Sequence, residues 1–447
     1  MRALLRFRHG VHPPERKERT AALATRRMPY PAEVVLPLRQ HAGKPAIPIV
    51  KAGDRVERGD KIAAADGFVS VPVHASATGT VTEVGLWPHP DGSCDQAIRI
   101  AVEPWSAQAA RPRMVPEWRG LAPREIVAAV QEAGVVGLGG AAFPTHVKLS
   151  PPKDKRIEAL IINGCECEPY LTTDHRTMAD FPDRVLLGVR LMMKCLSVER
   201  TLFGIEENKP DAIDAIRRAL PGDIDVTVLP LSVKYPQGAE KMLIKALTGR
   251  EVPSGKLPLD AGVIVQNVAS VATIAEVFET GLPLVERIVT VSGAGVRRPG
   301  NLIVPVGTKL KDLLDACGGL ADDASEIVSG GPMMGVSQKD LMTPVSKGTT
   351  GILVLTEAEA RRNRAYPCIR CGHCLDACPV FLNPQILGSL ARKSRYADME
   401  PLHLRDCMLC GCCSYVCPSH IPLSQLFAAA KTALRKANAA PAAKAPA

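Results

Sequence analysis

A chain of 447 residues is about three domain lengths, and with 46% hydrophobic and 23% charged residues it has globular rather than disordered composition. Its most apolar stretch, 261–278, is interrupted by Gln266, Asn267, Ser270, Thr273 and Glu276, so no membrane span is expected. The basic opening MRALLRFRHG has no long apolar run or cleavage site, so no secretory signal is read there. The net charge of +9 is carried at the two ends, +6 in residues 1–27 and +4 in residues 421–447, on a body near neutrality.

Basic ends suit docking to an acidic partner or an anionic lipid surface, and equally suit plain solvated termini. Aromatic residues at 4% and the lack of any aromatic-interleaved basic motif argue against nucleic acid.

In chain order, residues 1–29 form the basic segment. Residues 30–104 hold short β-like runs punctuated by Gly and Pro, such as AIPIV and SVPVHASATGTVTEV, and predict a small all-β module. This region resembles the barrel-sandwich modules of biotinyl and lipoyl carriers. Its tip, Pro72-Val73-His74-Ala75, has no lysine to carry a cofactor, so a scaffold is expected. A proline-bearing linker follows at 103–116.

Helical and strand patterns alternate over 118–283, with helices at 123–133, 210–220 and 240–247 and a buried strand at 159–162. That alternation predicts an α/β domain. Residues 284–345 return to β character around a helix at 309–316, and look like a β-grasp module of the SLBB type. A cysteine-rich segment occupies 360–425, flanked by helices at 384–393 and 422–436, and residues 437–447 are an Ala/Pro/Lys tail read as disordered. The fold class is thus a multidomain α/β protein with appended β modules and a helical cysteine-rich insert.

Nine of the 14 cysteines fall between Cys368 and Cys417. Without a secretory signal, that clustering argues for metal rather than disulfides. The runs Cys368-x2-Cys371-x2-Cys374-x3-Cys378-Pro379 and Cys407-x2-Cys410-x2-Cys413-x3-Cys417-Pro418 each have the bacterial ferredoxin spacing, in which the fourth cysteine of a run serves the other [4Fe-4S] cluster. One cluster then takes Cys368, Cys371, Cys374 and Cys417, and the other Cys407, Cys410, Cys413 and Cys378. The rival, a pair of four-cysteine zinc sites, ordinarily uses separated C-x2-C pairs. Cys412, outside the spacing, reads as a buried thiol, and Cys94, Cys165, Cys167, Cys195 and Cys317 are assigned to no metal.

A glycine loop, Gly134-Val-Val-Gly137-Leu-Gly139-Gly140-Ala-Ala-Phe143-Pro144-Thr145-His146-Val-Lys148, lets backbone amides approach a phosphate and supplies a lysine for it. Alone, such a loop is more often merely a tight connection, and a helix precedes it where the usual dinucleotide fingerprint has a strand. Three further segments accompany it: Asn163-Gly-Cys165-Glu166-Cys167-Glu168-Pro169-Tyr170, Tyr235-Pro-Gln-Gly238-Ala239-Glu240-Lys241 and Gln266-Asn267-Val268.

Together the four segments resemble the flavin-binding subunit of respiratory complex I. Over the whole chain, including His12-Pro-Pro-Glu-Arg-Lys17, the closer resemblance is to the C subunits of Rnf electron-transport complexes. That resemblance implies FMN, NAD(H) and two [4Fe-4S] clusters as cofactors. It places Gly137, Gly139, Gly140 and Lys148 at the FMN phosphate. Asn163, Cys165 and Cys167 fall near the isoalloxazine or ribityl chain, and Tyr235, Gly238, Glu240, Gln266 and Asn267 around the flavin, with Phe143 beside the nicotinamide.

Cys165 and Cys167 replace an acidic and a hydroxyl residue of the complex I pattern, and Ala239 replaces one of two adjacent glutamates. The resemblance further implies a peripheral subunit on the cytoplasmic face of the cell (inner) membrane, exchanging electrons between NAD and ferredoxin. Integral-membrane and cluster-carrying sister subunits would couple this to ion movement. A soluble flavin and iron–sulfur cobalamin reductase is the alternative of the same chemistry, and a cluster-bearing adaptor with a degenerate flavin site is the alternative without it. Arg361-Arg362-Asn363-Arg364, just before Cys368, is either a guide for an acidic partner or a solvated run.

Overall fold

The computed structural model describes residues 5–109, 117–360 and 363–439. Residues 110–116 of the linker, Arg361, Arg362 and residues 440–447 of the tail lie outside the described residues, as do residues 1–4.

The basic N-terminal segment is a strap laid along the body and held there by its apolar residues. Phe7, Val11 and Met28 are buried, Leu5 bridges to Leu231 and Val11 to Tyr235, and β1 (Arg26–Arg27) joins a distant sheet. Apolar residues interleaved with the cations account for this: they are buried and hold the segment down, while Arg6, Arg8, Arg16, Arg19, Arg26 and Arg27 stay exposed and Lys17 is drawn in. The Lys17 ammonium is buried and donates to the carbonyls of Glu166 at 2.7 Å, Glu168 at 3.0 Å and Leu171. A buried cation persists only when fully hydrogen-bonded.

The β module contains β2 (Glu33–Pro37), β3 (Ile47–Pro48), β4 (Arg55–Val56), β5 (Lys61–Ala64), β6 (Val73–His74), β7 (Gly79–Pro88) and β8 (Cys94–Val102). They form two sheets, β2-β8-β7-β4 and β3-β5-β6, around Val34, Leu36, Ile62, Ile98 and Ile100. Its tip is not presented to solvent. Val73, His74 and Ala75 are buried, and the Pro72 carbonyl accepts from Lys347.

The central body is built from α1 (Pro123–Glu132), α2 (Thr145–Lys148), β9 (Ala159–Gly164), α3 (Thr173–Asp180), α4 (Pro182–Leu196), β10 (Arg200–Glu206), α5 (Pro210–Ala219), β11 (Asp225–Leu231), α6 (Glu240–Thr248), β12 (Val263–Asn267) and α7 (Val268–Thr280). Helix α1 starts at a proline, with the Glu125 carboxylate accepting from the Ala122 amide at 2.6 Å, and stops at Gly134 with φ +68°. The four strands are parallel in the order β11-β10-β9-β12. Along β9, Leu160 and Ile162 pack with α1, α4 and α7 residues, while Ala159 and Ile161 pack with α6 residues, so both faces of the sheet are covered. Strand order reverses between β9 and β12. In such sheets the crevice at the carboxyl ends of the strands flanking the reversal is where ligands bind.

A six-stranded sheet follows, made by β13 (Glu286–Ser292), β14 (Gly300–Pro305), β15 (Ala324–Ser329), β16 (Val336–Gln338) and β17 (Gly351–Thr356) with β1, and carrying α8 (Leu310–Ala316). Its order is β1-β14-β13-β17-β15-β16. Because β17 pairs centrally with β13 and β15, this unit extends beyond the boundary expected at residue 345. The cysteine-rich region holds α9 (His373–Ala377), α10 (Pro384–Arg392), α11 (Cys412–Tyr415) and α12 (Leu423–Ala439), with Leu387, Met399, Leu404, Phe427 and Ala430 as its apolar centre.

Candidate redox sites

The glycine loop closes on itself through the Gly137 amide to the Phe143 carbonyl at 2.8 Å and the Ala142 amide to the Gly137 carbonyl at 3.1 Å. Its floor is the β12–α7 junction, where the Leu138 amide donates to the Ser270 hydroxyl at 2.7 Å. A side chain at Gly139 would lie 3.2 Å from the Asn267 amide nitrogen, whereas the Cβ position of Gly140, at φ +101°, faces open space. Gly139 thus permits close packing onto Asn267, and Gly140 permits the turn. Phe143 is half-buried on the same loop.

The other predicted segments come to the same crevice. Lys148, on α2, reaches Glu240 at the start of α6 at 2.7 Å and the Val265 carbonyl of β12 at 3.0 Å. Asn163, at the end of β9, donates to the Gly238 carbonyl at 2.8 Å and accepts from the Cys165 amide at 3.1 Å. The Gly238 amide lies 3.3 Å from the Cys167 sulfur, and a Cβ at Gly238 would run into the Cys165 carbonyl. Burial pushes both thiols up, so neither is a thiolate. Asn267 caps α7 by accepting from the Ala269 and Ser270 amides, and donates to Asp174 at 2.7 Å.

The crevice can accept a polar guest. The Gln266 side-chain nitrogen, both amide atoms of Gln237 and the Thr145 hydroxyl are buried without a protein partner among the described residues. Buried polar atoms are ordinarily paired. These donors and acceptors, a glycine loop with open space at Gly140 and the Lys148 ammonium fit a flavin mononucleotide, which carries a phosphate, a hydroxylated chain and a ring rimmed with acceptors and donors.

Three participants, Asp174, Arg287 and Lys347, have no signal in the sequence motifs, and a fourth, Gln237, lies in a motif without being singled out. Burial, with the nearby Glu166 carboxylate second, pushes the Asp174 carboxyl up to about 7. Arg287, buried on β13, donates to the Leu138 carbonyl of the glycine loop at 3.4 Å and to the Lys347 carbonyl. Lys347, also buried, donates to the carbonyls of Gly134 at 2.8 Å and Pro72 at 3.0 Å, tying three modules together at the foot of the loop. Gln237 sits inside the Tyr235–Gly238 segment, and its neighbours in that motif are the only clue to it.

The cysteines gather in two sets. Cys368, Cys371, Cys374 and Cys417 line one cavity of ≈ 260 Å³, and Cys378, Cys407, Cys410 and Cys413 line another of ≈ 20 Å³. Each set takes three cysteines from one run and the fourth from the other, the arrangement that the spacing predicts. The two runs also share one backbone design: Arg370 and Leu409, Gly372 and Gly411, and Phe381 and His420 occupy matching positions, all with positive φ. Left-handed non-glycine residues cost about 1 kcal/mol or more each, and such strain gathers at functional turns. Amides are directed at sulfur, Arg370 N at 3.4 Å from Cys368 Sγ and Leu382 N at 3.3 Å from Cys378 Sγ. Sulfur atoms ringing a cavity with amides aimed at them fit a cubane cluster. Cys412 is fully buried beside the smaller cavity.

Tyr235 lies at the border between crevice and cysteines. Its ring is buried with Val11, Ala377, Cys410 and Cys412, and its hydroxyl donates to the Cys410 carbonyl at 2.8 Å. The group that the resemblance places around the flavin therefore has its polar atom committed to the cysteine domain, as a buried hydroxyl requires a partner. Nearby, the Gly10 amide donates to the Ala377 carbonyl at 3.2 Å, and the rings of His9 and Phe381 stand 4.5 Å apart. The Glu168 carboxylate accepts from the Met333 amide at 3.1 Å, and burial raises its carboxyl to about 7.

Comparison with known proteins follows this layout. Residues 5–104 match the RnfC barrel sandwich hybrid domain, 130–276 the Nuo51 FMN-binding domain, 288–337 the SLBB domain and 364–421 a 4Fe-4S dicluster domain. The chain is 47% identical to the C subunit of the proton-translocating ferredoxin:NAD(+) oxidoreductase complex of Clostridium ljungdahlii, over 88% of this chain and 86% of that one. It is 43% identical to the C subunit of the Na(+)-translocating complex of Acetobacterium woodii, over 90% of both. With the C subunit of the ion-translocating oxidoreductase complex of Rhodobacter capsulatus it shares 42% identity, over 95% of this chain and 82% of that one.

Among solved structures, a chain of an NAD+-reducing [NiFe]-hydrogenase in the air-oxidized state shares the fold. The TM-score is 0.51 at 20% identity, covering 74% of this chain and 65% of the other. With relatives this similar over nearly its whole length, and with family models matching each module in order, the chain belongs to the family of C subunits of ion-translocating ferredoxin:NAD(+) oxidoreductase complexes.

Proposed function

We propose that this chain is the peripheral electron-transfer subunit of an ion-translocating complex, passing electrons between NAD(H) and a ferredoxin-linked partner through FMN and two [4Fe-4S] clusters. The observation that carries the reading is that a switch-point crevice fit for FMN and a paired cysteine set fit for a cluster are joined in one chain by Tyr235 and its bond to Cys410. FMN supplies the conversion between two-electron hydride chemistry and one-electron transfer.

The residues position and insulate. Gly137, Gly139, Gly140 and Lys148 would hold the phosphate. Asn163, Gln266, Asn267 and the Gly238 backbone would face the ribityl chain and ring, with Gln237 added to this group. Lys148 is anchored by Glu240, which keeps the cation at the crevice mouth. Phe143, half-buried on the loop, remains the proposed nicotinamide neighbour. The cysteines of the smaller cavity would hold the cluster nearer the flavin, and Cys368, Cys371, Cys374 and Cys417 the outer one.

No described helix is long and apolar enough to cross a membrane. Membrane association is therefore proposed through sister subunits, on the cytoplasmic face. The barrel-sandwich and β-grasp readings of the two β modules agree with their strand orders.

The test is anaerobic purification with iron, sulfide and flavin assayed, followed by NADH addition with flavin absorbance and cluster EPR recorded. About eight iron, one FMN and NADH-dependent reduction of the clusters are expected. Eight iron with no flavin binding and no response to NADH would leave the cluster-bearing adaptor in its place.

A further inference from the structure

The two cysteine sets differ sharply in surroundings. In the inner set Cys378, Cys410 and Cys413 are buried, and Cys410 is bonded to Tyr235 of the body. In the outer set Cys368 and Cys371 are exposed, and the cavity they share with Cys374 and Cys417 also has Arg370, Arg392 and Lys393 in its lining and no carboxylate. None of these three cations is ion-paired to a described residue. Around them Tyr366 is 56% exposed and Ile369 69%. Residues 363–393 carry Arg364, Arg370, Arg392 and Lys393 against a single acid, Asp376, and beyond them Arg395 is paired to Asp398.

Exposed apolar groups beside cations of one sign are what a transient protein interface needs: the apolar residues exclude water, and the unneutralised charge selects and steers the partner. We infer that the face around Cys368, Cys371, Arg370, Arg392 and Lys393 is the docking surface for an acidic redox protein, whose own centre is brought against the outer cysteine set. This rests on the electron-transfer reading above and adds to it the location and charge of the partner. The cations here belong to the fold of α10 and the first cysteine turn, so the face is preformed. In the strap of residues 5–29, by contrast, Lys17 is buried and Arg27 is paired to Glu286, while the other arginines are exposed without lining either cysteine cavity.

The experiment uses the full chain loaded with iron and flavin, and an acidic two-cluster ferredoxin immobilised as the probe. Affinity is measured between about 50 and 300 mM salt, a range over which screening of exposed charges changes strongly. Wild type is expected to lose at least about tenfold in affinity across that range. Arg392→Glu with Lys393→Glu, both on or beside α10 and outside the cysteine runs, is expected to lose about tenfold or more at low salt and to flatten the salt dependence.

Because Arg392 and Lys393 line the outer cavity, iron content and cluster EPR are recorded for the variant, and affinities are compared only on protein loaded to the same iron content as wild type. Lys311→Glu on α8, an exposed cation of the six-stranded-sheet unit that lines neither cysteine cavity, is the control and should bind as wild type. An affinity and salt slope in the double variant equal to wild type, with normal cluster reduction, would overturn the docking face alone. Lack of NADH-dependent reduction in wild type would overturn the function reading, and is read from the EPR rather than from the binding curve.

Discussion

Asp174 shows how one side chain under the crevice is set by its burial. Its carboxyl is raised to about 7 in the folded chain from an ordinary value of 3.8, first by desolvation and then by Glu166. The folded state therefore binds more protons than the unfolded one between those values, and stability falls as pH rises from about 4 to 7. Asp174→Asn keeps an acceptor for Asn267 and removes the charge. Its unfolding midpoint is expected to exceed that of wild type by an amount that grows from pH 5 to 8, with a ceiling on the order of 4 kcal/mol. A constant gap across that range in calorimetry would show that the carboxyl is not the titrating group. Residues such as Asp174, Arg287 and Lys347 are not legible in the sequence because their significance lies in partners 93, 149 and 213 positions away.

Among the elements, α7 has the clearest local logic. Asn267 ends β12, accepts from two amides at the start of α7 and donates to Asp174, so one residue terminates a strand, caps a helix and forms part of the crevice. Asn267→Ala is expected to cost about 1 kcal/mol for the cap, and about 1–3 kcal/mol more for leaving Asp174 without its donor. FMN affinity should fall with it, checked by thermal unfolding and by flavin titration. Unchanged flavin affinity would remove Asn267 from the site.

Helices beginning at Pro123, Pro210 and Pro384 are legible in the sequence to within a residue or two, since proline starts and glycine stops are local chemistry. Helix α4 is absent from the sequence reading, and the apolar stretch 261–278 reads there only as too interrupted to be a span. It divides into β12 and α7 because the parallel pairing with β9 ends at Asn267.

At the scale of the whole molecule, Tyr235 couples the body to the cysteine domain. Tyr235→Phe leaves the Cys410 carbonyl without its donor in a buried setting, an expected cost of about 1–3 kcal/mol at that junction. Cluster content should be retained, while the inner cluster's EPR signal shifts and the chain unfolds earlier; identical EPR and melting curves would assign Tyr235 to packing alone.

The sequence by itself determined what depends on spacing along the chain: two cysteine runs whose short intervals wrap backbone around a cube, a glycine loop with its lysine, and the succession of β, α/β, β and cysteine-rich modules. Only the tertiary structure decided what depends on position in space. The basic N-terminal segment is held against the body as a strap because Phe7, Val11 and Met28 are buried. The Tyr235 hydroxyl is given to Cys410, and one cysteine set is sealed while the other faces solvent beneath a basic rim. Burial and long-range hydrogen bonding are properties of neighbours in space, and a linear pattern does not encode which neighbours these will be.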